Sequence, residues 1–126
     1  MILVDTSIWI ELLNRSPRSR VSEKLLLNFA VCGPVAQEVL QGLRESAASE
    51  AFREAFLALP MLSDPLPSKT FLSGADIYRQ GRSKGYTIRS SVDCLIAAIA
   101  IDNGVPIWHK DRDYENIARY TSLRVR

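Results

Sequence analysis

The stretch from Ser90 to Asp113, SSVDCLIAAIAIDNGVPIWHKDRD, limits what this chain can fold into more than any other. Val92 and the run from Cys94 to Ile101 leave no polar stripe at a 3.6-residue period. A helix that is apolar nearly all round belongs in the middle of a domain. Its one ionisable group before Asp102 is Asp93, in the first turn. Ser90-x-x-Asp93 has the spacing of a capping box, in which the carboxylate reaches back to a free backbone N–H. The same placement also suits a carboxylate held at the end of a buried helix for a cation. A short strand, Val105 to His109, then delivers Lys110-Asp111-Arg112-Asp113 at its carboxyl end.

The rest of the chain alternates strands and helices around this unit. Residues 1–5 read as a buried strand ending at Asp5, with Thr6 or Ser7 capping a helix that carries Ile8, Trp9, Leu12 and Leu13. A loop with Pro17 and three arginines precedes a helix from Val21 to Asn28 and a strand from Phe29 to Cys32. Gly33-Pro34 opens a helix whose apolar face is Val35, Val39, Leu40 and Leu43, with Glu38 in its second turn. Ser46 to Leu59 is helical, with Phe52, Ala55, Phe56 and Leu59 on one face, and a strand at Met61 to Ser63 follows. Ser68 caps a helix that Gly85 stops. Tyr114 to Tyr120 form a last helix and Leu123 to Val125 a last strand. Such alternation implies a parallel sheet covered on both faces.

A length of 126 residues supports one domain spanning 1–126. No run approaches a membrane span and the N-terminus has no basic region followed by a signal-type apolar stretch, so the expected compartment is the cytoplasm. Cys32 and Cys94 sit in apolar runs without metal-type spacing and read as reduced core thiols. The net charge of +2 becomes +6 once four carboxylates are set aside. A basic body around an acidic pocket suits a polyanionic substrate.

Those four carboxylates share one edge. Ligands of open α/β sheets bind outside the carboxyl ends of the strands. Asp5 and Asp111 stand there, and Glu38 and Asp93 lie early in helices that leave the same edge. Singly, each has an ordinary role: Asp5 in a turn, Glu38 facing solvent, Asp111 capping a helix. Together they repel unless cations neutralise them. All-oxygen ligation suits Mg²⁺ or Mn²⁺.

MILVDTSIWIELL, PVAQEVLQGL, SSVDCLIAAIAIDNG and HKDRDYENIA resemble, in order and spacing, the four acidic segments of PIN-domain ribonucleases, most closely VapC-type toxins of toxin–antitoxin pairs. The resemblance runs from Met1 to about Ala118. It implies a three-layer α/β/α PIN-like fold with a central, mostly parallel sheet. It also implies an endoribonuclease that cuts RNA with water activated by Mg²⁺ or Mn²⁺. Asp5, Glu38, Asp93 and Asp111 match the family's acidic quartet, Asp113 is a fifth member, and Thr6 and Ser7 match the small hydroxyl positions after the first acid. His109 stands where many relatives have Thr or Ser, and Tyr114 where they have Phe.

The resemblance further implies a cognate antitoxin seated near Trp9, Leu12, Leu13, Leu40 and Leu43, and a homodimer through Phe71 to Tyr78 and parts of the Ser46 to Leu59 helix. Transfer or ribosomal RNA is the expected substrate. Arg15, Arg18, Arg20, Arg82, Lys84, Arg89 and Lys110 are the expected phosphate contacts, Arg89 foremost. Asp111, first off its strand, takes the larger role, and Asp113 is free to cap the last helix. Three other readings compete: a metal-independent ribonuclease with His109 as base, a phosphoaspartyl domain using Asp5, and a non-catalytic partner-binding module.

Overall fold

The computed structural model describes residues 1–14 and 26–126. The expected helix from Val21, and the phosphate contacts Arg15, Arg18 and Arg20, lie outside the described residues, save for the end of that helix at Leu26. Among the described residues four parallel strands form the sheet: β1 (Ile2–Val4), β2 (Phe29–Cys32), β3 (Met61–Leu62) and β4 (Ile107–Trp108), in the order β3-β2-β1-β4. Every residue of β1 and β2 is buried, as the two-sided covering of a parallel sheet requires. Among the described residues the helices are α1 (Thr6–Asn14), α2 (Gly33–Gln41), α3 (Ala47–Leu57), α4 (Ser68–Ser83), α5 (Ser91–Asp102) and α6 (Arg112–Ala118). The arrangement is the three-layer α/β/α one expected. None of these helices is long and apolar enough to cross a membrane.

The strand order places the ligand edge. From β1 the chain steps outward to β2 and β3, then returns to lay β4 on the other side of β1. The order therefore reverses between β1 and β4, and such a reversal opens a crevice at the carboxyl ends of the strands. Val4 pairs with Trp108, so Asp5 and the His109–Asp111 segment leave the sheet side by side.

Helix α5 occupies the centre, with Cys94 and Ile96 to Ala100 buried. Gly104, at φ +63°, takes the left-handed turn after it that a side chain would resist. Around Trp9, edge-to-face contacts with Phe29 (5.6 Å) and Phe56 (5.0 Å) seal α1 and α3 onto β2. Trp9 is only 1% exposed, so it cannot anchor a partner as expected; Ile10 and Leu13 face outward instead.

Other local expectations need correction. Asp5, not Thr6 or Ser7, caps α1, its carboxylate accepting the Ser7 N–H at 3.1 Å. Pro67 precedes α4 without a side-chain cap, so Ser68 is its first helical residue rather than its cap. The last helix starts at Arg112 and is capped by Asp111, which frees Asp113 from that role. The final strand reduces to one bridge between Val125 and Ile107.

Ile99 is fully buried in α5. Ile99→Ala should cost about 2–5 kcal/mol, a large part of the typical 5–15 kcal/mol of a domain, read from the urea midpoint at unchanged slope.

Candidate active site

Each acid at the β1/β4 edge is held by its own local structure. Asp5 follows an all-apolar strand and is 5% exposed. Its Oδ2 accepts the Ser7 N–H and, at 2.6 Å, the Ser7 hydroxyl, while the N–H groups of Ile8 and Trp9 bond its carbonyl. Ser7 Oγ also accepts the Lys110 N–H at 3.2 Å, which ties α1 to the segment after β4. The Thr6 hydroxyl is buried with no hydrogen-bond partner.

Only half of the capping box forms at α5. The Ser90 hydroxyl accepts the Asp93 N–H at 3.3 Å, but the Asp93 carboxylate turns to the Tyr114 hydroxyl, 3.2 Å from its Oδ1. Asp111 Oδ1 accepts the Asp113 N–H at 2.9 Å, and the Asp111 N–H donates to His109 Nδ1 at 3.0 Å. That bond leaves the proton of neutral His109 on Nε2. Nε2 lies 3.2 Å from Glu115 Oε1 without the alignment of a hydrogen bond. Asp113 is 3% exposed and accepts the Arg89 backbone N–H at 3.1 Å.

The carboxylates thus form a chain rather than a single knot. Asp93, Asp111 and Asp113 each offer an oxygen within 4.8 Å of the others. Asp5 joins them through Tyr114, whose hydroxyl is 2.9 Å from Asp5 Oδ1. Glu38 stands off from this group, on the exposed side of α2, in a neighbouring cavity of about 470 Å³ with Ile10, Leu13 and Val39. The Arg89 guanidinium reaches Asp111 at 3.5 Å and Asp113 at 3.8 Å, although its own side chain is 72% exposed. A cleft of about 730 Å³ opens here, lined by Ser7, Arg89, Lys110, Asp111, Arg112 and Asp113. Lys110 is ion-paired with Glu11 on its rim. Arg82 lies over the Tyr78 ring, away from this cleft.

The electrostatics follow from the crowding. Burial, then the charges of Asp111 and Asp5, push the Asp93 carboxyl up from 3.8 to about 7. Burial and the Asp5 charge also raise Glu38. Burial, with the Asp5 and Asp93 charges beside it, holds the Tyr114 phenol well above its ordinary range, so it stays protonated. Burial pushes the Cys32 and Cys94 thiols up to about 12 and about 11, leaving both uncharged. Tyr114 is the site residue that sequence reading passed over as a departure from pattern. The only available signal was a hydroxyl-bearing ring just after the acidic pair.

The acids gather all-oxygen donors at a strand-order reversal, where ligands of open α/β sheets bind. The PIN domain family model matches residues 2–120. Two relatives, the VapC ribonuclease Mb1587 of Mycobacterium bovis and ribonuclease VapC11 of Mycobacterium tuberculosis, are each 38% identical, over 98% of this chain and 96% of theirs. The chain belongs to the PIN-domain family and, within it, to the VapC ribonucleases. The fold agrees with two solved structures. VapBC2 from Rickettsia felis bound to a promoter DNA fragment superposes with a TM-score of 0.72 at 20% identity, covering 100% of this chain and 98% of that one. VapBC-1 from nontypeable Haemophilus influenzae gives 0.70 at 21%, covering 100% and 97%.

An acid whose folded pKa is raised stabilises the fold below its unfolded value and loses that contribution as pH climbs through the folded one. In EDTA, the Asp93 contribution to Tm should therefore fall as pH rises from about 4 towards 7. Thermal melts of Asp93→Asn should show a shallower decline over that window than the wild type.

Proposed function

We propose that this chain is the toxin of a toxin–antitoxin pair, an endoribonuclease that hydrolyses RNA phosphodiesters at the β1/β4 edge with Mg²⁺ or Mn²⁺. The observation that carries this reading is the meeting of Asp93, Asp111 and Asp113 oxygens within 4.8 Å beside a cleft lined by Arg89, Lys110 and Arg112. The residues fit a hard divalent ion: the donors are all carboxylate oxygens, and burial with the charges of Asp111 and Asp5 pushes Asp93 up. Asp5, Asp93 and Asp111 would hold the ion, with Asp113 and Glu38 adding charge from either side. Bound there, it would lower the pKa of a water and offset charge building on the scissile phosphate.

The chain's own residues do the rest. Ser7 fixes the Asp5 carboxylate, so its charge is aimed before substrate arrives. Arg89, exposed and only loosely held by Asp111 and Asp113, is free to exchange a carboxylate for an RNA phosphate. Lys110 and Arg112 extend positive charge along the cleft. The single histidine cannot serve as a base, because His109 Nδ1 already accepts a backbone N–H and Nε2 carries the proton. In this reading water rather than the 2′-OH is the nucleophile, and the products carry 5′-phosphate and 3′-hydroxyl ends. Transfer or ribosomal RNA loops are the substrates this reading favours. The VapBC names of the structural neighbours support a cognate antitoxin. Its seat would be the cavity of Ile10, Leu13 and Glu38, where apolar surface adjoins an acid that a basic side chain can meet.

Cleavage should need Mg²⁺ or Mn²⁺ and stop in EDTA, and end-labelling should find 5′-phosphates. Asp5→Asn and Asp93→Asn should fall to background with the fold intact by circular dichroism. Asp111→Asn keeps a good helix cap, so its slower cleavage and higher metal requirement read the lost charge alone. Full activity in EDTA, or cyclic phosphate ends, would sink the mechanism.

A homodimer is the second part of this reading. Phe71 (52% exposed), Tyr78 (37%) and Val92 (40%) line a groove of about 550 Å³ between α4 and α5. Sedimentation at tens of micromolar should give a dimer mass, and Phe71→Arg should shift it to monomer without unfolding. A wild-type monomer would refute it.

A further inference from the structure

Tyr114 sits where no solvent reaches it, at 0% exposure, and its ring packs against His109 with centroids 5.1 Å apart. The hydroxyl it carries is 2.9 Å from Asp5 Oδ1 and 3.2 Å from Asp93 Oδ1. A phenol has one hydrogen for the two acids. It can donate fully to only one of them at a time, so the second short contact depends on a further positive charge, a proton or a cation, beside the oxygens. Nothing else on Tyr114 accounts for the hydroxyl, since a ring alone would fill the same core space.

We infer that Tyr114 is a positioning residue that clamps Asp5 and Asp93 at the separation a divalent ion requires. This rests on the proposed ion site at those two acids. The geometry supports a clamp in three ways. Asp5 is held from the opposite side by Ser7, so Oδ1 is the oxygen left for Tyr114 to fix. Among the described residues the Asp93 carboxylate accepts no other hydrogen bond, so without the hydroxyl its rotation is restrained by its contact with Asp111 alone. Tyr114 itself is anchored in the first turn of α6, its N–H bonding the Asp111 carbonyl at 3.3 Å. One side chain on α6 thus couples the acids delivered by β1 and α5.

The test uses calorimetric titration of the intact protein with Mn²⁺, together with near-ultraviolet difference spectra. The wild type should bind Mn²⁺, and binding should perturb a tyrosine band, because positive charge arrives next to the one phenol that touches both acids. Tyr114→Phe keeps the ring and the fold, verified by circular dichroism. Its Mn²⁺ affinity should drop roughly tenfold, as for other residues that orient metal ligands, and the tyrosine perturbation should vanish. At saturating Mn²⁺ its cleavage rate should recover to within a few-fold of wild type. Wild-type affinity in Tyr114→Phe overturns the clamp while leaving the ion site standing. So does a wild-type spectrum that stays flat as calorimetry records binding. Failure of the wild type to bind Mn²⁺ at all overturns the ion site and the clamp with it.

Discussion

Like-charge repulsion between carboxylates is the constraint around which this molecule is built. Asp5 and Asp113 are almost wholly buried, and Asp93 and Asp111 stand against them. Groups that repel so strongly in a medium of low dielectric stay together only if something stiffer than the repulsion positions them. Here the stiff parts are the paired strands β1 and β4 and the apolar helix α5. Their packing is non-polar and indifferent to charge, so it can hold acids in an arrangement the acids themselves oppose. The hydrogen bonds from Ser7, Arg89 and Tyr114 then satisfy individual oxygens without cancelling the net negative potential. What is left is a region that attracts cations, set in a rim of basic side chains that attracts phosphate.

Much of this plan could be read from the chain. Apolar runs that stop abruptly at Asp5 and His109 mark strand ends, and a helix without a polar stripe marks the centre. Topology then carries the acids to one edge. The misreadings share a cause, which is that periodicity reports spacing and not direction. In an extended segment Asp111 and Asp113 would share a face, with Asp113 free to cap the last helix. Once Asp111 caps α6, Asp113 instead enters the first helical turn and is swung under the Arg89 backbone. Trp9 shares a helical face with Leu12 and Leu13, yet its indole turns towards Phe29 and Phe56.

Tyr114 shows where pattern reading stops altogether. Its burial could be anticipated from its place in an amphipathic helix, whereas the target of its hydroxyl depends on two segments far away in the chain. A hydroxyl at such a place is either a mild liability or a working part. The short contacts to Asp5 and Asp93 distinguish it from a ring that merely fills space.

The contact between Tyr114 and Asp5 spans 109 residues, and that between Lys110 and Ser7 spans 103. Closing loops of that length comes late in folding, because the entropy of ordering the chain is met before such contacts contribute. During synthesis β1 leaves the ribosome first and waits, unpaired on one side, for β4. A full-length but partly unfolded chain therefore possesses every acid and no assembled edge. Assembly of the acidic edge is itself a checkpoint, passed only by a finished molecule.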